Sequence, residues 1–332
     1  MAEIHVIEGD ARSATAAPKR HLISIEDLNR EIVERLLATA RNFSRSLERE
    51  MKKLPTLRGR TIVNLFYENS TRTASSFELA AKRLSADVMT MRASGSSVEK
   101  GESLRDTTRT LSAFQPDVIV VRHLQIGAPK MIAETTSAHV VNAGDGKHQH
   151  PTQALLDLYT MQETLGHLSG LQVAIVGDVL HSRVARSLIQ ALNLVDARSI
   201  CIGPPALIPR GFEQIGCEVS SDIAQIETAD VVYVLRMQQE RIAAGENFVP
   251  SLREYTARWG ITPARLRPGQ FVMHAGPINR GVEIDARVAD SPESLIEMQV
   301  RSGLVVRMAV LYDLLTQGPV SLAPAADMNE VA

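Results

Sequence analysis

Short runs of β-branched and apolar residues alternate along this chain with longer stretches in which apolar positions recur every three or four residues. That alternation predicts a parallel sheet whose strands are joined by crossover helices. Strand-like runs lie at 61–66, 87–91, 117–122 and 139–142, and again at 172–176, 199–202, 230–235 and 271–274. Helical periodicity covers 25–47, 75–84, 103–114, 151–165, 183–192 and 304–315. In the first of these, Leu28, Ile32, Val33, Leu36 and Leu37 share one face, as a helix packed on a core requires.

Pro151 opens the fourth helical stretch at a first-turn position that tolerates proline, after one group of strands and before the other. The pattern predicts two open parallel-sheet α/β domains of four or five strands each, joined by interdomain helices. Their expected limits are 21–150 and 151–302, the second including the helix at 151, with a C-terminal helix over 303–318 returning to the first. Residues 1–20 read as a flexible arm and 319–332 as a tail rich in Ala, Pro and acids. In open sheets of this kind ligands bind at the carboxyl ends of the strands, so the loops that follow strands are where chemistry is expected.

Composition narrows the choice. The 332 residues carry 36 Lys+Arg against 38 Asp+Glu, a formal net charge of -2, which gives no general attraction for nucleic acid. Aromatic residues make up 4%, too few for a surface that stacks bases. With 44% apolar and 22% charged residues, the composition is that of a folded globular chain. Cys201 and Cys217 are too few for a disulfide framework and lack metal-ligand spacing, so a reducing, cytoplasmic setting is expected. No stretch has the apolar core of a secretory signal or the length of a membrane span.

Chemistry-bearing residues then fall in the expected loops. After the run at 61–66, Ser70-Thr71-Arg72-Thr73 leads into a helix, where capping hydroxyls, free backbone N–H groups and the helix dipole suit a phosphate. Arg72 can add a bidentate grip. The glycine-flanked segment 94–102 offers Ser96 and Lys100 to an anion. Arg122 and His123 end the third run. His150 and Gln153 lie three residues apart across a helix start and can face one ligand, with His150 able to donate to a carbonyl oxygen.

In the second half, Gly177-Asp178-Val179-Leu180-His181-Ser182-Arg183 opens a helix but lacks the Gly-x-Gly-x-x-Gly spacing of dinucleotide binding, which disfavours nicotinamide chemistry. Arg236 and Gln238 occupy alternate positions after the run at 230–235. The loop Ala275-Gly276-Pro277 follows the last run, and its Gly-Pro bond is a candidate for the cis form. His148 and His150 have poor zinc spacing, and no metal or other cofactor is expected. The assembled set is mostly cationic or hydrogen-bond donating, fitting one or two small anionic substrates and catalysis by orientation and electrostatic stabilisation.

Ser70-Thr71-Arg72-Thr73, Lys100-Gly101-Glu102, Arg122-His123, His150-Pro151-Thr152-Gln153 and Arg236-Met237-Gln238 occur in an order that resembles the transcarbamoylases over residues 20–318. The Arg236-Met237-Gln238-x-Glu240-Arg241 segment is similar to that of the aspartate carbamoyltransferase catalytic chains rather than the ornithine enzymes. The resemblance implies transfer of a carbamoyl group from carbamoyl phosphate to L-aspartate, a step of pyrimidine biosynthesis. It implies phosphate binding by Ser70, Thr71, Arg72, Thr73 and Arg122, and contacts of Thr73, His150 and Gln153 with the carbamoyl group. It further implies that Arg183, Arg236 and Gln238 hold the aspartate carboxylates. Ser96 and Lys100 are implied to serve a neighbouring subunit's site, hence a homotrimer with shared sites, which some relatives extend with regulatory or dihydroorotase-like chains.

Two positions depart from the family pattern. Ala74 stands where relatives usually carry Arg, leaving Glu78 without an ion-pair partner four residues earlier, and Ala275 stands where they usually carry Pro. These departures carry an alternative reading, a catalytically weakened homologue acting as a ligand-binding or scaffold subunit.

Overall fold

The computed structural model describes residues 20–92, 101–238 and 251–316. The described residues form two parallel sheets. The first contains β1 (Thr61–Phe66), β2 (Asp87–Arg92), β3 (Val118–His123) and β4 (His139–Asp145), in the order β2-β1-β3-β4. The second contains β5 (Gln172–Val176), β6 (Arg198–Ile202), β7 (Glu218–Ser220), β8 (Val231–Val234) and β9 (Phe271–Met273), in the order β7-β6-β5-β8-β9. Both orders place a topological switch beside the first strand of the sheet, where the chain leaves β1 or β5 in one direction and returns on the other side.

The helices are α1 (Arg30–Leu47), α2 (Thr71–Arg83), α3 (Leu104–Ser112), α4 (Ala128–Thr135), α5 (Pro151–Leu165), α6 (Arg183–Leu194), α7 (Leu252–Trp259), α8 (Ala286–Ala289) and α9 (Ile296–Thr316). Strand alternation divides the interior. Val63, Leu65, Ile119 and Val121 face Leu111 and Ile132 on one side of the first sheet. Ile62, Phe66, Val118 and Val120 face the other side and share a continuous core with α1, α2, α5 and α9. That same core extends to Val173, Ile175 and Tyr233 of the second sheet, so α5 and α9 fill the space between the sheets. The far side of the second sheet packs Val176, Val232 and Val234 on Tyr255 and Trp259.

The expected strands all form, with ends shifted by up to three residues. The structure corrects several other expectations. The helix expected at 25–47 is broken: a 3₁₀ turn at Ile25–Asp27, capped by Ser24, ends at Leu28 in extended backbone, and Asn29 caps the start of α1. Leu28 and Ile32 are only partly buried, whereas Val33, Leu36 and Leu37 are in the core. The helix expected at 75 starts at Thr71 because Ser70 accepts a hydrogen bond from the Thr73 amide. The C-terminal helix starts at Ile296 rather than 304, since it is enclosed on several sides and lacks the one-faced periodicity that marks a surface helix. The edge strand β7 and the short helices α4, α7 and α8 carry too weak a pattern to be read from the sequence. Among the described residues, no helix is long and apolar enough to cross a membrane.

Candidate active site

Loops from the carboxyl ends of both sheets converge on a cavity of about 360 Å³. The first domain contributes Ser70, Thr71, Arg72 and Thr73 from the β1–α2 turn and Arg122 from β3, and the junction of the domains contributes His150 and Gln153 at the start of α5. Beyond these come Arg183 at the start of α6, Arg236 and Gln238 after β8, and Ala275, Gly276 and Pro277 after β9. The phosphate, carbamoyl, aspartate and loop residues expected from the sequence within the described segments therefore line one cavity, whereas His123, at the end of β3, does not and accepts instead from the Gln125 backbone amide at 2.9 Å. Ser96, Lys100, Glu240 and Arg241 lie outside the described residues.

Local folding explains each placement. Ser70 Oγ accepts from the Thr73 amide at 3.3 Å, fixing the turn so that the first-turn N–H groups of α2 are presented at a helix N-terminus. Burial lowers the Arg72 pKa, and the nearby Arg236 guanidinium lowers it further, so two like charges from different domains face the same cavity. Such a pair is an electrostatic demand for an anion.

Glu68 had no assigned role in the sequence, yet it organises two of the arginines. Its carboxylate accepts from Arg122 at 2.6 Å and from both terminal nitrogens of Arg183 at 2.7 and 2.9 Å. Burial opposes its ionisation, but these guanidiniums prevail and hold its pKa at about 2. Arg183 also donates to the Gly146 carbonyl at 3.1 Å, which aims its planar head along the cavity wall.

His150 is buried, and its backbone N–H donates to Ser187 Oγ at 2.8 Å. Its Nδ1 has no hydrogen-bond partner among the described residues. Burial drives its pKa well below the ordinary value, aided by Arg122, Arg183 and Arg307, so the imidazole is neutral at physiological pH. A neutral imidazole can donate to an oxygen that gains negative charge without first losing a proton. His148 is instead paired with Asp145 at 3.1 Å and does not line the cavity.

The loop after β9 is held from beneath. His274 N donates to Gln299 Oε1 at 2.9 Å, and Gly276 N donates to His274 Nδ1 at 2.8 Å. The Gly276-Pro277 peptide is cis. Gln238 is anchored through its backbone N–H, which donates to Asp178 Oδ2 at 3.2 Å. At the departures from the family pattern, Ala74 is buried in the core, and Glu78 pairs with Lys82 at 2.6 Å instead. Glu78 is thus supplied with a cation from the following turn.

Arg307 is a further lining residue that the sequence reading passed over. Fully buried in α9, it donates to Ser76 Oγ at 2.6 Å and lies 5.1 Å from the Phe77 ring centre. Burial pushes its pKa down to about 9. The available signal was a lone cation inside the apolar run Leu304–Leu311, just as Asp157 is a lone acid inside the apolar run of α5.

Two α/β domains that close a cationic, donor-rich cleft from the carboxyl ends of both sheets define an enzyme-like class that brings two small anionic molecules together. The particular family follows from comparison: the chain belongs to the aspartate/ornithine carbamoyltransferases, with residues 20–163 matching the family's carbamoyl-P binding domain and residues 169–314 its Asp/Orn binding domain. It is 53% identical over 311 residues to the aspartate carbamoyltransferase catalytic subunit of Acidothermus cellulolyticus, covering 92% of this chain and 96% of the relative. The corresponding subunit from Salinispora arenicola is 54% identical over 303 residues, covering 89% and 98%. Among solved structures, aspartate transcarbamoylase of Trypanosoma cruzi in complex with carbamoyl phosphate and aspartate superposes with a TM-score of 0.80 at 31% identity, over 88% of this chain and 96% of that one. The catalytic subunit of M. Jannaschii aspartate transcarbamoylase gives 0.79 at 35% identity, over 90% and 98%.

Proposed function

We propose that this chain transfers the carbamoyl group of carbamoyl phosphate to the α-amine of L-aspartate, giving N-carbamoyl-L-aspartate and phosphate for pyrimidine biosynthesis. The observation that carries the reading is the convergence of Arg72 from one domain with Arg236 and the Gly276 loop from the other around one cavity. In this reading residues 21–150, completed by the C-terminal helix, hold carbamoyl phosphate, and residues 151–302 hold aspartate.

Ser70, Thr71, Arg72, Thr73 and Arg122 bind the phosphate, using helix N–H groups and two guanidiniums. Thr73, His150 and Gln153 orient the carbamoyl group. Arg183, Arg236 and Gln238 take the two aspartate carboxylates. The neutral amine attacks the carbonyl carbon, and the carbonyl π electrons move to oxygen, where Arg72, Thr73 and neutral His150 stabilise the charge. As that oxyanion collapses, the C–O bond to phosphate breaks, and the proton lost by the amine is taken up by the departing phosphate. The step as written draws on no cofactor and no covalent enzyme intermediate.

The residues Ser96 and Lys100 are assigned, through the family resemblance, to a neighbouring subunit's site. The chain accordingly works as a cytoplasmic homotrimer with shared sites, open to further association with regulatory or dihydroorotase-like chains. Purified protein supplied with carbamoyl phosphate and either aspartate or ornithine tests the activity. Carbamoyl aspartate and equimolar phosphate are expected with aspartate alone; no product with either acceptor from a folded chain would overturn the reading in favour of a binding or scaffold subunit.

A further inference from the structure

Beside the cavity, next to its lining residues Gln153 and Gln299, a single buried carboxylate gathers three donors from three elements. Asp157 lies on α5 and is completely enclosed. Its Oδ1 accepts from Gln153 Nε2 at 3.0 Å and from Gln299 Nε2 at 2.8 Å, and its Oδ2 accepts from the Tyr233 hydroxyl at 2.8 Å. Gln153 sits one turn earlier on α5, Gln299 on α9 and Tyr233 on β8, so the carboxylate ties the second sheet and both connecting helices to one point.

The arrangement fixes which way two amides point. A carboxylate can only accept hydrogen bonds, so both glutamines must turn their –NH₂ groups towards it. Gln153 then presents its carbonyl Oε1, an acceptor, to the cavity that it lines. Gln299 presents its own Oε1 to the His274 amide and thereby seats the loop that carries Ala275, Gly276 and Pro277. Left alone, a primary amide has no preference between its two nearly isosteric ends; the buried acceptor supplies one.

We propose that Asp157 is a positioning residue for substrate specificity: by holding the Gln153 amide with its oxygen towards the cavity, it makes the site select an acyl phosphate whose acyl group bears an N–H donor. The inference rests on the carbamoyl-transfer reading above and adds a discrimination to it. Carbamoyl phosphate and acetyl phosphate differ by –NH₂ against –CH₃ and have nearly the same shape and charge. Only the first can donate to the Gln153 oxygen. With the methyl compound that buried acceptor is left unpaired, which penalises the wrong substrate as well as favouring the right one.

The test compares the dissociation constants of carbamoyl phosphate, acetyl phosphate and inorganic phosphate for the full chain and its variants at about pH 8.5, above the value of about 7 to which burial raises the Asp157 carboxyl. Asp157→Leu is similar in shape and has no acceptor, so Gln153 is free to turn. Its preference for carbamoyl over acetyl phosphate should fall about tenfold while inorganic phosphate binds as in the parent chain. Asp157→Asn retains an oxygen able to take both glutamine donors, with its nitrogen directed to the Tyr233 oxygen, and should keep most of the preference. If the leucine variant fails to fold, Asp157→Ala, with water in the vacated space, is expected to show the same loss. An unchanged preference in a folded Leu or Ala variant, or an equal loss in the Asn variant, would overturn the inference. A parent chain that forms no carbamoyl aspartate would instead overturn the activity on which it rests, whatever the variants bind.

Discussion

The Arg72 guanidinium lies directly over the backbone of Gly276: a methyl group built on that glycine would come within 2.7 Å of the Arg72 Cζ. Arg72 lies in the first turn of the helix after β1, and Gly276 follows the last strand of the other sheet, so the close approach joins the two domains at the proposed reacting centre. Gly276 also has φ +64, which other residues adopt at a cost of about 1–2 kcal/mol. Gly276→Ala should leave the fold intact but displace the guanidinium, and a shift of this kind typically lowers turnover by about a hundredfold. Steady-state kinetics beside a chemical denaturation curve would separate the two effects. Turnover equal to the parent's would show that Arg72 is not held by this contact.

Glu68 links Arg122 of the first domain to Arg183 of the second, and its pKa of about 2 lies below its ordinary 4.5. A carboxylate depressed in the folded state contributes stability above its unfolded pKa and loses it as the pH falls through the folded one. The contribution is on the order of 3 kcal/mol at neutral pH and fades between about pH 4.5 and 2. Glu68→Gln should therefore be less stable than the parent at pH 7, with the two converging in acid. Urea melts across that range would check it, and parallel curves would contradict the assignment.

The pKa values of the two neighbouring histidines are shifted in opposite directions. Hydrogen bonding to Asp145 raises the His148 pKa above 6.5, so it contributes stability at low pH that is lost as pH rises through the folded value. Burial first, and three arginines next, lower that of His150, whose stability contribution declines as pH falls below 6.5 because the unfolded chain takes up a proton that the folded one refuses. Imidazole NMR shifts should show His148 titrating above pH 6.5 while His150 remains neutral through pH 6. Protonation of His150 near neutrality would remove it as a neutral donor to the carbonyl.

The proposed sharing of sites between subunits makes a quantitative prediction. Arg72→Ala and Lys100→Ala chains are each expected to be nearly inactive. After subunit exchange at equal concentrations, a site is intact when its own chain supplies Arg72 and the neighbour supplies Lys100, so about a quarter of the sites should recover. Recovery is read as phosphate release against unexchanged controls. Its absence in mixed trimers would place Lys100 in its own chain's site.

Strand positions were legible because β-branched runs buried on both faces leave a dense apolar signal, as in Ile62, Val63 and Leu65 of β1. The cationic loop residues were legible because they follow those runs. Glu68, Arg307 and Asp157 were not, since each acts through a partner more than fifty residues away or through an amide whose orientation only packing defines. The sequence marks Gly276 only as part of the loop after the last strand, whereas its missing side chain makes room for Arg72. The start of α9 was obscured because a helix buried between two domains loses the polar face that gives a helix its period.

The central claim is that this cleft stabilises the charge developing on the carbamoyl oxygen, and turnover of the Arg72→Ala chain with carbamoyl phosphate and aspartate tests it most directly. Loss of such a donor typically lowers the rate by a hundred- to a thousandfold, or about 2.7–4 kcal/mol. That loss, in a chain that remains folded, is the predicted result. Near-normal production of carbamoyl aspartate by the same variant would contradict it.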